Sequence, residues 1–269
     1  HSGRIPCLVK NGFQGDIYCT AATRDLCAAM LMDSAFIQEK DVEYVNRRRK
    51  KNGQRAFEPL YTKADVAKSM AQFVGLSYNR RHQICPGVEL TLVDAGHMLG
   101  SAHVILDIVE QETGGHRRLV FSGDIGRPDI PIIRDPDPIN GGCDILIMES
   151  TYGNRLHGAS AENDAAMGEI VRRTAQRRGK VIIPAFSVGR TQDIVYCLHQ
   201  LLDADQIPHL PVYVDSPLSV NATQVFLLHP ECYDEEVEAF LLKTGDPFGF
   251  QQLRYTRSVE ASKELNFLR

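Results

Sequence analysis

Four short segments limit what this chain can fold into: "VELTLVDAG", "HVILDIVE", "RRLVFSGD" and "CDILIMES", spread over residues 88–150. Each is rich in Val, Ile and Leu and is bounded by Gly, Pro or Asp, which is the texture of buried strands punctuated by turns. The first three leave no room between them for helices, so they must pair as neighbouring strands through short connections. The flanks read differently. Upstream, "CTAATRDLCAAMLMDSAFIQ" has helical spacing behind a Thr/Asp start, "DVEYVNRRRKKNG" reads as a second helix ending at Gly53, and "TKADVAKSMAQFVG" as a third over residues 62–75. Beyond Gly153 the order becomes helix "AENDAAMGEIVRRTAQRRG", strand "KVIIPAF", helix "RTQDIVYCLHQLLDAD", strand "PVYVDS", helix "VNATQVFLLHP". Strands alternating with crossover helices predict a parallel sheet. The change of texture places a domain boundary near residue 155, dividing the chain into 1–155 and 156–269, and no internal repeat is evident.

Composition narrows the class. With 43% hydrophobic and 24% charged residues among 269, the chain has the make-up of a soluble globular protein. A net charge of −4 gives no global attraction to nucleic acid, although a local basic groove is compatible with it. No apolar run approaches the roughly 18 residues of a membrane span, so no membrane partner is expected. The seven cysteines are odd in number, scattered and without a CxxC, which reads as reduced thiols in a cytoplasmic protein.

Polar residues gather where the apolar runs stop. His97 follows Asp94-Ala95-Gly96 past one strand, Asp124 follows Ser122-Gly123 past another, and Glu149 ends a third. Imidazole with carboxylate suits zinc or manganese, and the flanking glycines let backbone pass close to an ion or anionic substrate. Singly, a His beside Gly is an ordinary turn residue and an Asp after Gly an ordinary turn former. Three such ends in succession define a metal or acid–base site, without deciding between the two.

"DAGHMLGSAH", "FSGDIG", "DILIMESTYGNR", "VIIPAFSVGRTQDI" and "VYVDSPL", in that order, resemble the motifs of the metallo-β-lactamase superfamily in its β-CASP nuclease branch. The RNA-processing members are the most similar, and the resemblance runs over essentially the whole chain. It implies a partial αββα metallo-β-lactamase domain over 1–155 and a partial β-CASP α/β domain over 156–269. It also explains the opening "HSGRIP": His1 matches the last histidine of the His-x-His-x-Asp-His metal motif, so the chain is expected to be an inactive fragment lacking that motif's first residues and later β-CASP segments. Carried over by position, His97 matches a ligand of one metal, Asp124 the carboxylate bridging two, His1 a ligand of the second, and Glu149 an acid that orients a later histidine. The implied cofactors are two divalent ions, zinc with manganese as the alternative, and the implied substrate is single-stranded RNA, hydrolysed by a two-metal mechanism in the cytoplasm. A homo-oligomer is compatible with this. A catalytically inactive scaffold subunit and a DNA-directed nuclease are the competing readings.

Two stretches invite a substrate role. "PAFSVGRTQD" places Ser187 and Arg190 at a strand-to-helix turn whose N–H groups and guanidinium could meet a phosphate. The bland alternative is an ordinary turn with Arg190 in a structural ion pair. "NRRRKKNGQR", residues 46–55, reads as a solvated helix end, with an RNA contact as the alternative. His103 reads as a strand residue, and His116, His157, His199, His209 and His229 as structural or surface.

Overall fold

The computed structural model describes residues 2–155 and 161–267, and His1 and His157 lie outside the described residues. The chain divides into two compact units, His1–Ser77 and Tyr78–Arg269.

In the first unit a short helix α1 (Ile5–Lys10) precedes strand β1 (Ile17–Thr20), helix α2 (Ala21–Lys51), helix α3 (Lys63–Met70) and strand β2 (Phe73–Leu76). Thr20 caps α2, its side chain accepting from the Thr23 N–H, and Thr62 with Asp65 forms a reciprocal capping box on α3. Cys27, Leu31 and Ala35 of α2 bury against Tyr61, Val66 and Phe73. Two expectations are corrected here. The separate helices expected on either side of residue 40 are one 31-residue helix, because "QEKD" contains no breaker and Gln, Glu and Lys are good helix formers. The third helix stops at Met70 rather than reaching Gly75. Residues 73–76 instead pair parallel with 17–20, since Phe-Val-Gly-Leu gains more as a pleated partner than as a helix end with a glycine inside it.

The second unit is built on a five-stranded sheet in the order β3 (Arg81–Cys85), β4 (Val88–Asp94), β5 (Ala102–Val109), β6 (His116–Phe121), β7 (Ile145–Ile147). The first four are antiparallel and β7 joins β6 in parallel. All four sequence-predicted segments are therefore strands of one sheet, with Val93, Ile105 and Val120 packed together on it. Then follow helices α4 (Ala161–Gln176) and α5 (Arg190–Asp203), strand β8 (Val212–Asp215), helices α6 (Pro217–Leu228) and α7 (Glu235–Thr244), strand β9 (Leu253–Thr256) and helix α8 (Val259–Leu265). Leu198, Leu201 and Leu202 of α5 pack with Val171 of α4 and Ile207. β8 and β9 pair in parallel. The "KVIIPAF" segment, expected as a strand of that sheet, carries no ladder among the described residues. Ile182 and Phe186 are each 86% exposed.

Candidate functional site

Three loops follow the C-terminal ends of β4, β6 and β7, and each carries one of the sequence-predicted groups. The β4 loop is pinned at both ends. The Asp94 carboxylate accepts from the Gly96 N–H at 3.0 Å, and the Ser101 hydroxyl accepts from the backbone N–H of His97 and Met98 at 3.0 and 3.2 Å. Gly96 takes a left-handed φ of +57° with the Pro136 backbone where a Cβ would stand. Burial pushes the Asp94 carboxyl above its ordinary value, against the opposing effects of the Gly96 N–H and Arg134. Between the pins, His97 is left exposed.

The β6 loop, Ser122-Gly123-Asp124-Ile125-Gly126, is locked to the first. Gly126 donates to the Ala95 carbonyl at 2.8 Å, and any Cβ on Gly126 would collide with the Gly96 carbonyl. Asp124 is half-buried in this loop. The third loop is tied to the second from two sides. Glu149 donates its N–H to the Ser122 hydroxyl at 3.1 Å and accepts the Ile125 N–H on its carboxylate at 2.6 Å. That N–H, then the Thr151 hydroxyl, hold the Glu149 carboxyl below the usual range, and the neighbouring His97 acts in the same direction. The structure therefore brings the loops of His97, Asp124 and Glu149 into one hydrogen-bonded edge.

Sequence reasoning missed what sits beneath this edge. His103 lies in β5 beside Val93 in register, is buried, and has Nδ1 at 2.7 Å from the Ser122 carbonyl. A carbonyl only accepts, so Nδ1 carries a proton and donates it to Ser122. Ser122 thereby becomes a junction: it receives His103 on its carbonyl, Glu149 on its hydroxyl, and donates its own N–H to Ile147 at 2.9 Å. A buried bond of this kind contributes about 1 kcal/mol net, and leaving the carbonyl without a donor costs about 1–3 kcal/mol. A histidine in an otherwise apolar strand just past "GSA" was the available signal.

Ser187 and Arg190 lie at the turn that opens α5. The N–H groups expected to face a phosphate are already used: Arg190 N–H goes to Val188 and Thr191 N–H to Phe186. Ser187 shares a hydrogen bond with Ser216 at 3.0 Å, and Arg190 lies 3.8 Å from Asp193. The bland reading of that turn is the one observed for its backbone. Arg190 nevertheless lines a cleft of about 290 Å³ with Arg127, Pro131, Asp164 and Asp193. Burial raises the Asp193 carboxyl to about 6, with Arg190 pulling the other way.

The donor chemistry of His97 and Asp124 suits a borderline divalent ion. As a set it is incomplete: among the described residues no group of three or more His, Cys, Asp or Glu side chains is placed to hold a metal ion, whereas zinc takes three or four protein ligands. No helix among the described residues is long and apolar enough to cross a membrane.

Comparison with known proteins follows this geometry. Residues 191–269 match the Beta-Casp domain. Along 99% of its length the chain is 32% identical to a Thermus thermophilus protein named ribonuclease TTHA0252, spanning 55% of that protein. It is 29% identical to the transcription termination factor FttA of Methanosarcina mazei and 32% identical to that of Pyrococcus abyssi, covering 39% and 36% of them. The chain thus carries a Beta-Casp domain match and, over nearly its whole length, resembles RNA-processing members of the β-CASP branch of the metallo-β-lactamase superfamily. It spans about half the length, or less, of these curated relatives.

Proposed function

We propose that this chain is the part of a metal-dependent RNA phosphodiesterase that carries one side of its active centre. The proposed metallo-β-lactamase part runs to about residue 155 and the β-CASP part from about 156, the 191–269 match lying inside the latter. One observation carries the reading: an imidazole and two carboxylates sit on three strand-end loops hydrogen-bonded into a single edge. The names of the relatives point to RNA as the substrate.

In this reading His97 and Asp124 supply ligands to two divalent ions, zinc or manganese, with His1 as a further ligand. When bound, such ions lower the pKa of a water nucleophile and neutralise charge building on the phosphate. The chain's own residues hold the geometry. The half-buried Asp124 presents a carboxylate, whose two oxygens can face two cations. Glu149 stays ionised at neutral pH and fixes the Asp124 loop through the Ile125 N–H, so its task is orientation rather than ligation. His103 holds Ser122, to whose hydroxyl the Glu149 N–H is also bonded.

The test uses the intact protein and a labelled single-stranded RNA. Asp124→Asn removes the charge while keeping the shape, and should lower cleavage about a thousandfold or more, several kcal/mol of transition-state stabilisation. Glu149→Gln should reduce turnover with bound metal retained. Cleavage by Asp124→Asn near the parent rate, with undiminished metal, would overturn the reading.

A further inference from the structure

The far end of α2 is built unlike its beginning. Buried residues of the helix stop at Ala35, and residues 36–51 carry only a narrow half-buried stripe through Gln38, Val42, Asn46 and Arg49. Along that stripe the chain returns beside the helix. Tyr61 bonds Ser34 at 2.9 Å, the Lys63 N–H donates to Glu39 at 3.0 Å, and Asn46 clamps the Phe57 backbone with two hydrogen bonds of 2.9 and 2.8 Å. At the tip, Arg49 donates to the Arg55 carbonyl at 2.6 Å. The arm is thus a helix braced by its own return segment, not a loose charged tail.

Its tip, residues 44–57, has one sign. Across residues 44–57 there are six cations, Arg47, Arg48, Arg49, Lys50, Lys51 and Arg55, and no carboxylate, in a chain whose net charge is −4. Among the described residues the one ion pair made by this cluster is Arg47 with Glu43 at 2.7 Å. Favourable interaction with the helix C-terminus accounts for cations in the last turn, but it gives no reason for aromatic rings among them. Here the Arg48 guanidinium lies 5.1 Å from the Tyr44 ring centre and Arg49 4.1 Å from that of Phe57. Both rings remain more than half exposed, Tyr44 at 56% and Phe57 at 55%. Arg49, Arg55, Ala56, Phe57 and Glu58 line an open cavity of about 380 Å³ at the tip.

Clustered like charges repel one another, and a polyanion relieves that repulsion while releasing its own counterions. Cations interleaved with exposed rings match single-stranded nucleic acid in particular: phosphates meet the charges and unstacked bases lie on the rings. We propose that the tip of this arm, residues 44–57, is a second binding surface for single-stranded RNA, made of residues other than those of the edge that carries His97 and Asp124. The proposal rests on the RNA reading of the site and adds to it a place where the strand is held without being cut.

The test again uses the intact protein, with two probes: a fluorescent 20-nucleotide oligouridine for binding and a 5-nucleotide RNA for cleavage. The triple variant Arg48→Gln, Lys50→Gln, Lys51→Gln lies on exposed positions. Each cation removed should flatten the dependence of log K on log salt by about 0.7, so about 2 in all, with affinity falling roughly tenfold to a hundredfold at 0.1 M salt. Cleavage of the short RNA should be unchanged. The charge-preserving triple Arg48→Lys, Lys50→Arg, Lys51→Arg should bind as the parent does, and Tyr44→Ala should weaken binding severalfold with no change in slope. A neutralised triple that binds the 20-mer with the parent's affinity and slope, while both proteins cut the short RNA, would overturn the arm and leave the site standing. Unchanged RNA binding together with lost capture on phosphatidylglycerol vesicles would also overturn it, moving the surface to anionic lipid. A parent that binds the 20-mer through the arm yet cuts neither probe would uphold the arm and sink the nuclease reading.

Discussion

Strand β5 and the segment 181–186 have nearly the same texture, "AHVILDIV" against "VIIPAF", and opposite fates. Ile105 in β5 is 3% exposed and packs with Val93 and Val120, flanked by hydrogen-bonded strands on both sides. Ile182 has the same side chain and stands in solvent without a ladder. β7 lies between these extremes: it is paired on one side, yet Ile145, Leu146 and Ile147 are all exposed. A strand is a relation between segments rather than a property of one, and apolar content sets only the readiness to enter it. The loops of His97 and Asp124 fall on the well-determined side of this contrast, because they follow strands paired on both sides, whereas the Glu149 loop follows the edge strand β7.

The largest effect should come from the lock between the first two loops. Gly126→Ala drives a Cβ into the Gly96 carbonyl, backbone against backbone, where neither side chain can yield. A loss of about 3 kcal/mol or more is expected, at the severe end of overpacking, read as a lowered urea midpoint. A midpoint like the parent's would show the edge to be softer than the contrast requires. Next comes the matched pair. Ile105→Ala should cost about 2–4 kcal/mol through lost burial and a residual cavity, whereas Ile182→Ala should stay within about 0.5 kcal/mol. Equal costs would mean that Ile182 is covered in solution, and the comparison would collapse.

A smaller effect sharpens the contrast at α5, the helix following the exposed segment. Asp193 has its carboxyl raised to about 6 by burial, against about 3.9 in an unfolded chain. The folded state therefore binds this proton more tightly. The group's contribution is fully present below about pH 4 and is lost as pH rises through about 6. Its side chain retains 24% exposure beside Arg190, which discounts the effect to about 1–2 kcal/mol. Asp193→Asn should match the parent near pH 4 and be the more stable of the two at pH 7 in urea titrations. A parent that is more stable at pH 7 would assign Asp193 to its ion pair instead.

What the sequence disclosed follows the same division. The four sheet segments and their polar ends were legible because Val/Ile/Leu runs that stop at Gly or Asp encode both strand and turn. Gly96 and Gly126 mark the close approach of two backbones. The unity of α2 was not legible: "QEKD" is charged enough to look like a boundary, yet holds no residue that breaks a helix. β9 was overlooked because "LRYT" is short and mixed, and pairs with residues some forty positions earlier. His103 was placed in its strand but not in its network. A side chain reaching a carbonyl 19 residues away leaves no trace in periodicity. The turn before α5 left two readings open in the sequence, because which of its N–H groups meet carbonyls of the same loop, as those of Arg190 and Thr191 do, depends on local dihedrals such as φ +79° at Gly189.

The length of α2 has a mechanical meaning. At 1.5 Å per residue, residues 36–51 extend about 24 Å past the last buried turn. Six cations at the end of such a lever give the field of a passing polyanion a long moment on which to act, so the protein experiences a torque as well as an attraction. Approach would then be oriented before any contact forms, and that orienting effect would fade with added salt as the Debye length shrinks below the lever's own length.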